Sequence, residues 1–211
     1  MHTKWKQDFY ADIPPIAMRD PLASVLGAVT DDTPIYYHYT DCIKAAGHAC
    51  ASVSSAFQMT KLALKALYGD AIPVRGDIEV TYFGERDQGA NGPIGQVIQF
   101  LTGAATETGF HGLGGRYVRA DRFVFLDDGE DHAGITVRYK RTDTGAQVVA
   151  VADPGALPLT AAEEEGAQYM PKVVRGSATE QEREKFYLYW QGKNRKLLLE
   201  EHPGVFTITR V

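Results

Sequence analysis

An α+β fold is predicted: an antiparallel or mixed sheet packed on a long central helix, with a helical extension at the C-terminus. Three features of the chain point to it. Two-residue alternation of apolar side chains is concentrated in mid-chain, between residues 77 and 152. Apolar positions spaced for helix precede that region and return after residue 160. The regular strand–helix alternation of a doubly wound parallel fold is missing. The chain divides accordingly into an arm over 1–35, an α+β domain over 36–155 and a helical extension over 156–211.

The arm reads as irregular. Pro14, Pro15, Pro21 and Pro34 interrupt any long element, Ala23–Val29 can form one short helix, and Trp5, Phe9 and Tyr10 offer anchors for docking onto a body or a second protomer. The central helix follows in two pieces. Thr40-Asp41 caps the first, which runs through Ala46, and Gly47 interrupts before a second from about Ala49 to Tyr68. Val53, Ala56, Phe57, Thr60, Leu64 and Leu67 form its apolar face. Its first turns carry only Ala and Ser around Val53, which suits close packing or a ligand. Gly69-Asp70 ends it.

Asp77–Phe83 alternates Ile78, Val80 and Tyr82 and reads as a strand. From Gly84 to Gly115 there are nine glycines in 32 residues. Within that stretch Pro93 opens a helix, IGQVIQFLTGA, in its favourable first position. The following ETGFHGLGGRY is too rich in glycine for helix and forms a loop. Arg122–Leu126 is a strand, and Gly134–Arg141 turns at Thr142–Gly145 into Ala146–Ala152 as a hairpin. Pro154 and Pro158 close it, and Thr160–Tyr169 and Thr179–Glu201 are helices.

Composition excludes several classes. The 211 residues carry a net charge of −5 and a pI near 5.7. The only basic cluster is Lys193, Arg195 and Lys196, so a broad nucleic-acid surface is not expected. No apolar run reaches the ~18 residues of a membrane span, and the polar start has no secretory h-region. Two cysteines cannot build a disulfide framework. A cytoplasmic setting is the expectation.

The sharpest chemical feature is Gly47-His48-Ala49-Cys50 at the head of the central helix. A cysteine in a first helical turn meets unpaired amides and the positive end of the dipole, which favour a thiolate. His48 can share a metal with it or act as its base. The alternative is a packed cysteine and a capping histidine. His38 and Cys42 share a face only if 38–42 is helical, and Ile35–Tyr39 looks extended. In the glycine-rich loop His111 and Arg116 flank Gly112–Gly115, where backbone amides and a guanidinium suit phosphate or carboxylate. A tight crossing of the sheet explains the glycines equally well. His2, His132, His202, the serines and the glutamate runs receive no role.

AGHACASVSSAF (Ala46–Phe57) and VIQFLTGAATETG (Val97–Gly109), in this order and spacing, resemble the FmdE-like family, named after a component of formylmethanofuran dehydrogenase, over roughly residues 36–155. The resemblance implies an α+β homodimer with a metal held by His48 and Cys50. It supplies no reaction. Typical members have His, Pro and Gly where this chain has Ala46, Ala51 and Ser52. The resulting expectation is a divalent transition metal, most simply zinc, on His48 and Cys50. His38 or His111 would complete the shell, and Arg116 would hold an anion. The alternatives are a carrier module for haem or a pterin-like group, or a structural protein whose site has degenerated.

Overall fold

The computed structural model describes residues 2–30 and 33–211. The arm is built into the body. A 3-10 turn over Asp8–Asp12 leads to β1 (Ile16–Met18) and α1 (Pro21–Val25), and β1 pairs antiparallel with β2 (Ile35–Tyr37). Tyr10, Ile13, Ile16 and Met18 are buried in the main core. The short helix begins two residues before the predicted Ala23 and ends at Val25. Asp20 accepts from the backbone N–H groups of Leu22 and Ala23, and Pro21 takes the first position, where no N–H is needed.

The central helix comprises α2 (Tyr39–Ala46) and α3 (Ala51–Tyr68). His38, not Thr40, is the N-cap of α2, and its backbone N–H donates to the Asp41 carboxylate at 3.0 Å. Gly47 ends α2 with φ 77°, a left-handed conformation that a residue with a Cβ adopts at a cost. After β3 (Ile78–Phe83) comes α4 (Asn91–Thr102), which starts before Pro93 rather than at it. The Asn91 side chain accepts from the Tyr82 hydroxyl at 2.6 Å and donates to the Glu85 carbonyl at 2.8 Å, pinning the helix head. Proline is tolerated at the third position because first-turn N–H groups have no intrahelical acceptor.

β4 (Phe123–Leu126), β5 (Ile135–Arg141) and β6 (Gln147–Ala152) follow, then α5 (Ala161–Ala167), α6 (Met170–Val174), α7 (Glu180–Leu199) and β7 (Phe206–Arg210). The mixed sheet has the order β4-β3-β5-β6-β7. Its β3–β4 pair is parallel, bridged by α4, and the other pairs are antiparallel. β7 is not anticipated from the sequence: the C-terminal segment returns from its helices to add the fifth strand to the sheet.

Ile78, Val80 and Tyr82 of β3, Val137 and Tyr139 of β5 and Val148, Ala150 and Ala152 of β6 are buried together with α3 and α4. Full burial of a side chain such as Phe57 or Ile98 contributes roughly 1.5–3 kcal/mol. The slim first turns of α3 serve packing. They let α7 come close enough for Ser54 Oγ to donate to Asn194 Oδ1 at 3.0 Å and for Trp190 Nε1 to donate to the Ala49 carbonyl at 2.8 Å. The opposite sheet face carries the Glu79–Lys140 pair, Arg138 donating to Thr81 at 3.0 Å, and the exposed Val124 and Leu126. Among the described residues, no helix is long and apolar enough to cross a membrane.

Candidate functional site

The head of α3 places the motif residues differently from expectation. Cys50 is the N-cap of α3, one position before the first turn, with φ −149° and no side-chain capping bond. Its side chain is half-buried against the main core. His48 is exposed in the link between α2 and α3, with Nδ1 2.9 Å from the Ala46 carbonyl. Cys42 is fully buried, and burial pushes its thiol up to about 12, so it is neutral and a poor ligand. His38 is exposed and lines a surface cleft with Trp5, Tyr10 and Thr40. His111 is exposed in the glycine-rich loop. Among the described residues, no group of three or more His, Cys, Asp or Glu side chains is arranged to hold a metal ion.

The glycine-rich loop between α4 and β4 has a defined path. The Arg119 N–H donates to the Phe110 carbonyl at 2.7 Å, the Ala105 N–H donates to Arg119 O at 2.9 Å, and Leu113 bridges to Arg116. Gly112, at φ 91°, lies so close to the Arg116 carbonyl that a Cβ would overlap it. The path forces Tyr117 to φ 61°. For a bulky side chain that is strained backbone, of the kind held where surrounding structure over-determines it.

This path turns Arg119 inward and Arg116 outward. The Arg119 guanidinium passes between Gly76 and Gly103, and a Cβ at either glycine would collide with it. Its Nη2 donates to Asp20 Oδ1 at 2.8 Å, while Arg75 Nη1 donates to Asp20 Oδ2 at 3.0 Å. Arg75 Nε and Nη2 also donate to the Phe100 carbonyl. Burial alone pushes the Asp20 carboxyl up. The Arg75 hydrogen bond, the Arg119 charge and the Ala23 N–H outweigh it and hold the group below its ordinary value. Arg119 is 7% exposed, and its buried Nη1 has no hydrogen-bond acceptor among the described residues.

Beside this triad lies a cavity of about 200 Å³, lined by Pro21, Arg75, Asp77, Arg116, Tyr117 and Arg119 among others. The Arg116 guanidinium stands 5.1 Å over the Tyr117 ring and makes no hydrogen bond within the described residues, so its donor fork is free. Asp77 is paired at 3.7 Å with Arg122, which also donates to the Gly76 carbonyl. Of the residues read from the sequence, the structure brings Arg116 to this cavity, and His38, His48, Cys50 and His111 are not among its lining. Asp20, Arg75 and Arg119 are missed. The one available signal is the Arg116, Arg119, Arg122 spacing, because Asp20 and Arg75 come from distant segments.

A second, larger cavity of about 440 Å³ opens where the parallel β3 and β4 end. Its lining includes Glu85, Asp127, Asp128, Glu130, Asp131 and His132. His132 Nε2 lies 2.8 Å from Asp128 Oδ1. Its carboxylates repel anions, so the two cavities have opposite electrostatic character. No family model matches the chain, and no curated protein matches it.

Proposed function

We propose that this chain is a binding protein for a small anionic ligand, held in the arginine-lined cavity beside the glycine-rich loop. The carrying observation is the Arg116 guanidinium, which makes no hydrogen bond among the described residues and lines the cavity together with Arg75 and the nine-tenths buried Arg119. Buried charge without full compensation is costly, and an anion in the cavity offsets that cost. The free fork of Arg116 supplies direct, bidentate contact, and its stacking on the constrained Tyr117 keeps it in place. The proposed activity is binding, with no reaction assigned. Isothermal titration with inorganic phosphate and sulfate tests it. Wild type should bind at least one of them, and Arg116→Ala should weaken that binding tenfold or more without lowering Tm. Absence of binding by wild type would overturn the reading.

A second reading keeps a divalent metal, zinc first, on His48 and Cys50. In its favour, the Ala46 carbonyl fixes the His48 ring through Nδ1, the usual way a ligating histidine is oriented for its other nitrogen. The remaining ligands would come from outside the chain, a second copy in the homodimer being the simplest source. Elemental analysis and a visible spectrum of untagged protein, beside the His48→Ala/Cys50→Ala double variant, test this reading. About one metal per chain, lost in the variant, supports it, and a coloured protein points to haem or a pterin-like group instead. Sedimentation tests the homodimer. The cytoplasmic setting belongs to the same proposal, and fractionation of the source cell tests it.

A further inference from the structure

We infer that the ligand of the arginine-lined cavity is a compact dianion, of the class of small phosphomonoesters, an inference that rests on the anion-binding reading above. Charge is the first reason. Among the described residues, the charged groups lining the cavity, with their ion-pair partners, are Arg75, Arg116, Arg119 and Arg122 against Asp20 and Asp77. Four guanidinium groups against two carboxylates leave a surplus of two positive charges, which a dianion balances and a monoanion does not.

The surplus is also concentrated. Arg75 and Arg119 each place a donor on one oxygen of the same Asp20 carboxylate, at 3.0 and 2.8 Å, so these two guanidinium groups lie one carboxylate apart. Asp20 neutralises one of them. Charge gathered on one wall suits a ligand whose two charges sit on one head group, as in a phosphomonoester, better than a dicarboxylate with separated ends. The planar fork of Arg116 matches two phosphate oxygens, leaving the third to face the field of Arg75 and Arg119.

Size sets the other bound. The cavity holds about 200 Å³, below the roughly 300–1,000 Å³ of sites that enclose drug-sized ligands. A phosphate group with a few carbons fits within it. The wall offers Tyr117, Val118 and Pro21 to the ligand's carbon portion.

The test is calorimetric titration of the full chain at constant ionic strength, at pH 7.5 and pH 5, with circular dichroism confirming the fold at both. The probes are methyl phosphate, dimethyl phosphate, sulfate and succinate. The second ionisation of a phosphomonoester lies near pH ~6, so methyl phosphate should bind about tenfold more weakly at pH 5. Sulfate, a dianion at both values, should not change, which separates titration of the ligand from titration of the protein. Dimethyl phosphate, with the same head group and one charge, should bind at least tenfold more weakly than methyl phosphate at pH 7.5, and Arg116→Gln should abolish the preference. If dimethyl phosphate binds as well as methyl phosphate, the dianion inference falls while anion binding stands, and if succinate, an extended dianion, does so, the compact phosphomonoester class falls. If none of the probes binds, or Arg116→Gln changes nothing, both fall.

Discussion

Asp20 and Arg119 stand 2.8 Å apart with less than a tenth of either side chain exposed, although 99 residues separate them in the chain. Asp20 also caps α1 and accepts from Arg75, so one carboxylate joins the N-terminal segment, the approach to β3 and the glycine-rich loop. Removing one partner of a buried ionic group leaves the other uncompensated. Asp20→Ala should therefore cost about 3–5 kcal/mol, measured by urea unfolding at pH 7.

The same carboxyl gives a pH dependence. Its value in the folded chain is lowered, so its contribution is fully present above the unfolded-state value of about 3.9 and is lost as pH falls through the lower folded value. Unfolding free energies between pH 2.5 and 6 should show a steeper acid decline for wild type than for Asp20→Asn. Parallel acid limbs would contradict the placement of Asp20.

Gly76 and Gly114 both have positive φ, at 91° and 55°, but their surroundings differ. A Cβ at Gly76 would strike the Arg119 guanidinium, whereas nothing lies near one at Gly114. Gly114→Ala should cost about 1–2 kcal/mol of backbone strain. Gly76→Ala adds displacement of a buried charged group and should cost about 3 kcal/mol or more. It should also weaken anion binding. Equal costs in thermal unfolding would show that the space around Gly76 is not what confines Arg119.

A buried polar chain ties four segments together. Tyr39 Oη lies 2.8 Å from Ser54 Oγ, Ser54 donates to Asn194 at 3.0 Å, Asn194 donates to Gln191 at 3.0 Å, and Tyr10 donates to the same Gln191 oxygen at 2.9 Å. Asn194 is fully buried. Asn194→Ala orphans partners on both sides and should cost about 2–3 kcal/mol, against about 1 kcal/mol for Tyr10→Phe. A double-mutant cycle should show coupling between Asn194 and Ser54.

β7 covers the edge of β6, and Val205 beside it packs with Leu157 and Leu197. A chain ending at residue 204 would expose the β6 ladder and the apolar Val148–Ala152 run to other chains. The expected outcome is loss of a sharp thermal transition and concentration-dependent association in sedimentation. A monomer with wild-type Tm would show that β7 is dispensable.

Much of the fold is legible in the sequence because its signals are local. The alternation at Ile78, Val80 and Tyr82, the turn at Thr142–Gly145 and the helix starts near Thr160 and Thr179 are each read within a few residues, and the elements form where they indicate. β7 escapes because Phe206–Arg210 has no buried residue of its own and depends on β6 for its definition. The start of α4 escapes because the Tyr82 contact, rather than Pro93, fixes it.

The candidate site divides along the same line. The α+β class, the central helix, the glycine-rich loop and the presence of Arg116 in that loop follow from the order of residues alone, since periodicity and glycine density act over one element. Packing was needed to establish that Cys42 is an inert buried thiol, that Cys50 precedes its helix, and that Asp20, Arg75 and Arg119 meet beside Arg116. The difference is one of range. A backbone preference is set by neighbours a few residues away, whereas burial, electrostatic compensation and cavity shape depend on segments that only the packed chain brings together.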